Sequence, residues 1–250
     1  ATGNAYWYET SRLYVTLHRT PLTIAERFGA EVLRPGCSWI FTSATLTVDH
    51  GFSHFAQRLG MTDARELLLE SPLDYDHQSL LWLPRQLPDT SDPQRATKLA
   101  MQLLPVLNQV PGGIFFLCTS HAGLRQVATV LERELGRRIL VQGKDSKQRL
   151  LTEFVNHGRA VLVATASFWE GVDVRGDALS CVIIDKLPFT APDEPLLKAR
   201  IEDCRLRGGD PFSELQLPEA VITLKQGVGR LIRDVQDRGI LVLCDPRLVN

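Results

Sequence analysis

The chain has 250 residues, of which 44% are hydrophobic, and a formal net charge of -1. That size supports a well-buried core, in one large domain or two small ones, and the near-neutral charge excludes a globally basic nucleic-acid binder. No apolar run approaches the length of a membrane span and no signal peptide opens the sequence, so a cytoplasmic protein is expected.

Taken in chain order, residues 6–20 are strand-like and aromatic-rich, and 22–33 have helical spacing. Short apolar runs follow at 39–43, 80–83, 114–118, 139–142, 160–165, 181–185 and 240–244. Several are continuous rather than alternating, the pattern of strands covered on both faces. Helical patterns fall between them at 121–135, 146–155, 195–205 and 218–235. This alternation predicts an α/β fold with a mostly parallel sheet flanked by helices. The stretch 83–93 is rich in Pro, Asp, Thr and Ser and reads as a linker. Residues 1–90 are therefore expected to form an N-terminal connecting segment and 91–250 the sheet domain. The abrupt opening at Ala1-Thr2-Gly3-Asn4 suggests a piece of a longer protein.

The five cysteines, Cys37, Cys118, Cys181, Cys204 and Cys244, show no metal-ligand spacing. Cys118, Cys181 and Cys244 fall in or beside apolar runs, where a thiol behaves as a small hydrophobe. No metal site is predicted in this chain.

The residues that carry chemistry cluster at predicted strand ends. Ser43-Ala44-Thr45 closes the run 39–43, and short hydroxyls at the carboxyl end of a parallel strand face the ligand crevice of open α/β sheets. A plain strand-ending turn reads equally well there. Thr119 and Ser120 follow the run 114–118 and open a helix; Ser120 suits an N-cap, and the same helix start suits a phosphate. Gln142, Gly143 and Lys144 follow the next run, where a lysine can meet a phosphate or simply be solvated. Thr165, Ser167, Phe168, Trp169, Glu170, Gly171 and Asp173 follow the run 160–165. Thr165 and Ser167 suit a backbone phosphate. Glu170 and Asp173 suit nucleotide hydroxyls or arginines, and Gly171 permits close backbone approach. Phe168 suits a stacked base, worth about 1–3 kcal/mol, or the core. The loop from Lys186-Leu187-Pro188-Phe189 onward reads as stiff, and the basic helix after it as a solvated face.

The sequence Gln226-Gly227-Val228-Gly229-Arg230-Leu231-Ile232-Arg233 is the most informative segment. On a helix Gln226, Arg230 and Arg233 fall at i, i+4 and i+7 and share a face. Val228, Leu231, Ile232 and Val235 then point away and can pack on a core. One amide and two guanidiniums in a row suit a polyphosphate, because arginine stabilises charge developing on a transferring phosphoryl group.

Together these segments resemble the second motor domain of an iron–sulfur DNA helicase of the XPD/DinG family. Gln226–Arg233 resembles motif VI, 164–173 motif V, Thr119-Ser120 motif IV and Ser43-Ala44-Thr45 motif III. The resemblance implies a RecA-like sheet and an ATP- and Mg-dependent helicase moving 5′ to 3′ on single-stranded DNA in repair. It assigns catalysis to Arg230 and Arg233, and nucleotide binding to Gln226, Gly229, Glu170, Gly171 and Asp173. DNA binding falls to Thr119, Ser120, Gln142, Lys144, Thr165, Ser167 and Phe168, and coupling to Ser43, Ala44 and Thr45. It further implies a first motor domain in cis, an iron–sulfur cluster confined to that upstream part, a nucleoid-associated location, and the chi subunit of the replicative DNA polymerase as a partner. The chain has no G-x-x-x-x-G-K-[ST] loop and no D-E-A-H box. A stand-alone nucleic-acid or protein platform without catalysis is the alternative.

Overall fold

Residues 4–10 and 15–21 alternate side chains across a pleat, and they pair in register. In the computed structural model, which describes residues 3–48, 51–61, 63–165, 168, 174, 178–190, 193–229 and 231–249, they form an antiparallel hairpin of β1 (Asn4–Thr10) and β2 (Val15–Pro21). Trp7 stacks on His18 with ring centroids 4.9 Å apart. The chain divides into two compact units, Ala1–Leu69 with Phe189–Thr223, and Glu70–Pro188 with Leu224–Asn250.

The first unit holds the hairpin, α1 (Ala25–Val32) and α2 (Ser53–Leu59). Helix α2 ends at Gly60 in the left-handed region (φ 69°), and a Cβ at Gly60 would collide with the carbonyl of Ala25. Only glycine permits that turn and that approach together. The strand expected at 39–43 does not form. Trp39 and Phe41 instead join Phe28 and Phe55 in a ring cluster with centroids 5.7–6.1 Å apart. Among the described residues no neighbouring strand pairs with this segment, and a β-strand exists only through its ladder.

The second unit opens with the short helix α3 (Tyr75–Gln78) and β3 (Ser79–Trp82), followed by α4 (Arg95–Gln109). Next come β4 (Gly113–Cys118), α5 (His121–Glu134), β5 (Ile139–Val141) and α6 (Lys147–His157). Strands β6 (Val161–Thr165) and β7 (Leu179–Ile184) complete the centre of the sheet. Within the first unit α7 (Pro195–Leu206) starts on a Glu194 cap, with Arg200 Nε donating to Leu22 O at 3.0 Å. Helix α8 (Leu217–Val228) begins in that unit, and its residues from Leu224 belong to the second, as does β8 (Gly239–Leu243).

Six strands run parallel in the order β3-β8-β7-β4-β6-β5, which bears out the predicted α/β class. Alternation sends Ile114, Phe116 and Cys118 to one face with Leu99, Leu103 and Leu107 of α4 and Leu124, Val127 and Leu131 of α5. Phe115 and Leu117 go to the other face with Leu150 and Phe154 of α6. Central strands buried on both faces explain why their sequences read as continuous apolar runs. The sheet includes β3, which a boundary at residue 90 left in the connecting segment.

Helix α4 has no counterpart among the sequence-predicted helices. Pro105 sits inside it, and proline forfeits a backbone donor and ordinarily breaks a helix. Leu99, Leu103 and Leu107 outweigh that, fully buried at four-residue spacing.

Candidate functional site

In a parallel sheet every strand delivers its next residue to the same edge. Gln142 follows β5, Thr165 ends β6, Thr119 follows β4, Asp185 follows β7 and Asp245 lies just past β8. The order of those strands is β5, β6, β4, β7, β8, so Gln142, Thr165 and Thr119 come from three adjacent strands. Strands lie about 4.8 Å apart, which spaces the outer two by about 10 Å.

Gln142 and Thr165 are directly joined. Gln142 Oε1 accepts from the N–H of Thr165 at 2.7 Å and from its hydroxyl at 3.0 Å. Ser120 caps α5, its hydroxyl accepting from Gly123 N at 3.0 Å. Gly143 sits at φ 91°, turning the chain so that Lys144 can reach Glu132 on α5 at 2.6 Å. That pair is exposed, and such pairs contribute little, so a phosphate can compete for the ammonium.

Thr119 is held by an acid that sequence reasoning missed. Asp185 accepts from the N–H of Thr119 at 2.9 Å and from its hydroxyl at 3.3 Å. Burial pushes the Asp185 carboxyl up to about 6, against the opposing pull of the Thr119 N–H, Lys186 and Arg95. Arg95, itself buried at the start of α4, donates to the carbonyls of Asp185 (3.1 Å) and Cys244 (2.5 Å). One guanidinium thus ties the ends of β7 and β8 to α4. Asp245 behaves oppositely to Asp185. Burial pushes it up, but the Arg247 guanidinium and the N–H groups of Leu187 and Arg247 outweigh that and hold its pKa at about 2. The sequence signal for both acids was position alone, an Asp at the end of an apolar run.

The late arginine segment departs from its prediction. Helix α8 stops at Val228, so Arg233 does not share a helical face with Gln226. Gly227 and Gly229 weaken the last turn, and the N–H of Gly229 closes it on Lys225 O at 2.9 Å. Gln226 is exposed on α8 and Gly229 lies one residue past its end. Leu231 and Ile232 are buried as predicted, whereas Val235 is 68% exposed because it lies in the turn that follows. Asp237 organises that turn, its Oδ2 accepting from Arg233 N at 2.8 Å and Asp234 N at 2.9 Å. Buried Gln78 adds donation to the carbonyls of Asp234 (2.7 Å) and Asp237 (2.9 Å). Gln78 directly precedes β3 and Asp237 precedes β8, so the turn is fastened at the amino edge of the sheet, opposite Thr119. Arg233 is half-buried, and burial lowers its pKa while Asp237 opposes the shift.

Phe168 is 5% exposed and packs in the core beneath Lys147, whose ammonium lies 5.2 Å from the ring centroid. Its ring is therefore unavailable to stack a base, a correction to that assignment. In the first unit the hydroxyl of Ser43 accepts from Thr45 N at 3.1 Å, and Ala44 is exposed between them, a local turn with no strand before it. Ser167, Glu170, Gly171, Asp173 and Arg230 lie outside the described residues. Four of the cysteines are buried, Cys37 is exposed, and no group of three or more His, Cys, Asp or Glu among the described residues is arranged for a metal ion.

Comparison with known proteins places this architecture. A family model described as "Helicase C-terminal domain" matches residues 103–250. The "ATP-dependent DNA helicase YoaA" of Escherichia coli (strain K12) is 58% identical over 247 residues, covering 99% of this chain and 39% of that protein. The Bacillus subtilis (strain 168) protein named "3'-5' exonuclease DinG" is 35% identical over 244 residues, covering 94% of this chain and 26% of that protein. The chain thus spans about two fifths or less of the length of these curated relatives. A solved structure named "XPD_Helicase" superposes with a TM-score of 0.71 at 20% identity, over 94% of this chain and 43% of that one, and shows the same fold. With more than half of its residues matched, the chain belongs to the helicase C-terminal domain family.

Proposed function

We propose that this chain is the second motor domain of an ATP-dependent DNA helicase that moves 5′ to 3′ along single-stranded DNA and serves repair. The observation that carries the reading is the row Gln142, Thr165, Thr119 at the carboxyl ends of three adjacent strands. Polar groups at such an edge suit a phosphate backbone, because hydroxyls, amides and helix starts supply donors without reading sequence. Thr119, Ser120, Gln142, Lys144 and Ser167 bind the strand in this reading, whereas Thr165, only 7% exposed and with its N–H and hydroxyl donating to Gln142, positions Gln142 at the edge. Gln226, Gly229, Glu170, Gly171 and Asp173 contact the nucleotide. Arg230 and Arg233 stabilise charge on the transferring phosphoryl group, and Ser43, Ala44 and Thr45 couple the two events. A first motor domain in cis supplies the phosphate cradle and the Mg²⁺ carboxylates, and an upstream segment carries the iron–sulfur cluster. The chi subunit of the replicative polymerase is the proposed partner, and the cytoplasm, at the nucleoid, the proposed location.

The test is fluorescence anisotropy of single-stranded DNA with the chain at two ionic strengths. Lys144 is the one cation in this set, so the salt slope should be shallow, on the order of one. A Lys144→Ala/Ser120→Ala double variant should bind more weakly and lower the slope by roughly 0.7 for the lost ammonium contact. Affinity indifferent to salt, or unchanged in the double variant, would rule out this edge as the strand's path.

A further inference from the structure

Asp185 has no part in the reading above, yet it is the acid that Thr119 touches. It follows β7 directly, is 2% exposed, and takes both the N–H and the hydroxyl of Thr119 on its two oxygens. Thr119 itself is exposed at the sheet edge.

An ionised carboxylate has no proton to give. While Asp185 is ionised, the hydroxyl of Thr119 donates to it and turns only lone pairs outward. A phosphodiester oxygen is also an acceptor, so it finds no donor there. When Asp185 holds a proton the bond reverses. The acid O–H donates to Thr119 Oγ1, and the threonine hydrogen is released toward solvent, where a phosphate can take it.

The surroundings leave the two states close in energy. Burial favours the neutral acid, while the N–H of Thr119, Lys186 and Arg95 from α4 favour the ion. Cys118 of β4 and Cys244 beyond β8 face the same acid as thiols whose own ionisation burial suppresses. Helix α5 also packs close to the acid at Gly123, where a Cβ would stand in ordinary contact, 3.7 Å from Asp185 Oδ2.

We propose that Asp185 is a positioning residue for the nucleic-acid contact: it decides whether Thr119 donates to a phosphate, and strand binding at Thr119 draws a proton from solvent onto Asp185. The proposal rests on the reading of Thr119 as a phosphate contact. A carboxyl that titrates near 6 places the reversal within reach of an ordinary pH series. The sign follows from linkage, because the state that binds the strand holds one more proton, so affinity rises as pH falls.

The experiment uses the full-length protein and an oligothymidylate carrying a pH-insensitive rhodamine label, with anisotropy followed from about pH 8 to about pH 5.5. The parent should gain roughly three- to tenfold in affinity across that range, the scale of one hydrogen bond. Asp185→Asn always has an amide N–H to give Thr119, so it should bind at neutral pH as the parent does at low pH, with a flattened profile. Thr119→Val should bind weakly throughout and also lose the pH dependence. A parental profile retained in Asp185→Asn overturns the proposal. Thr119→Val binding like the parent at every pH overturns instead the phosphate contact on which it rests. Should Asp185→Asn fail to fold, titration calorimetry of the parent in two buffers of different ionisation enthalpy still decides. Proton uptake that Thr119→Val lacks supports the proposal, and no uptake in the parent overturns it.

Discussion

Arg233 owes its place to a turn rather than to helical periodicity. Its N–H is fixed by Asp237, and the two residues before it are buried in the core. Its chemical type was legible in the sequence, since a guanidinium after an apolar pair suits a phosphoryl group. Its surroundings were not, because Asp237 and Gln78 reach it through a turn and a 156-residue separation. In the full-length protein Arg233→Ala should abolish ATPase and unwinding, by about 10³–10⁵ in turnover if it acts on the transition state. Arg233→Lys should fail similarly, since an ammonium cannot reproduce the planar fork. Steady-state ATPase with single-stranded DNA measures both, and a variant within a few-fold of the parent would remove Arg233 from catalysis.

At the scale of elements, the strands were legible and the exceptions share one cause. Local pattern reports burial and periodicity, and says nothing of which partner a segment finds. The run 39–43 has strand composition but pairs with nothing, whereas α4 carries a proline and is held by three buried leucines. Helix α8 was overextended because Leu231 and Ile232 continue the apolar rhythm after the glycines end the helix. The turn after it depends on one side chain from elsewhere in the unit. Gln78 accepts from Asp74 N at 2.9 Å and donates to two carbonyls of the turn. Gln78→Leu keeps the bulk and removes all three bonds, each worth about 0.5–1.5 kcal/mol net. Hydrogen exchange by mass spectrometry on the full-length variant should show segment 233–237 exchanging at least about tenfold faster. Turnover should fall with it while strand affinity holds, because Thr119 lies at the opposite sheet edge. Unchanged exchange would mean that Asp237 alone organises the turn.

At the scale of the whole molecule, the parallel sheet was readable from its alternation with helices, but the division of the chain was not. A boundary at residue 90 follows the proline-rich linker, whereas the two units each combine distant stretches of sequence. The pairing of β3 with β8 draws residues 79–82 into the sheet, a contact no local window contains. The same long-range logic governs activity. An arginine of this type acts on a nucleotide that other groups hold, and this sequence has neither a glycine-rich phosphate loop with its lysine nor a D-E-A-H box. We therefore expect the 250-residue chain by itself to hydrolyse no ATP above background, with or without single-stranded DNA. A coupled steady-state assay on extensively purified chain measures this. Turnover that persists and disappears in Arg233→Ala would show a nucleotide site complete within this chain, and the two-domain reading would have to be abandoned. Activity that appears only when the upstream polypeptide is joined to it would place the phosphate cradle and the Mg²⁺ carboxylates there, with the arginines of this domain acting across to them.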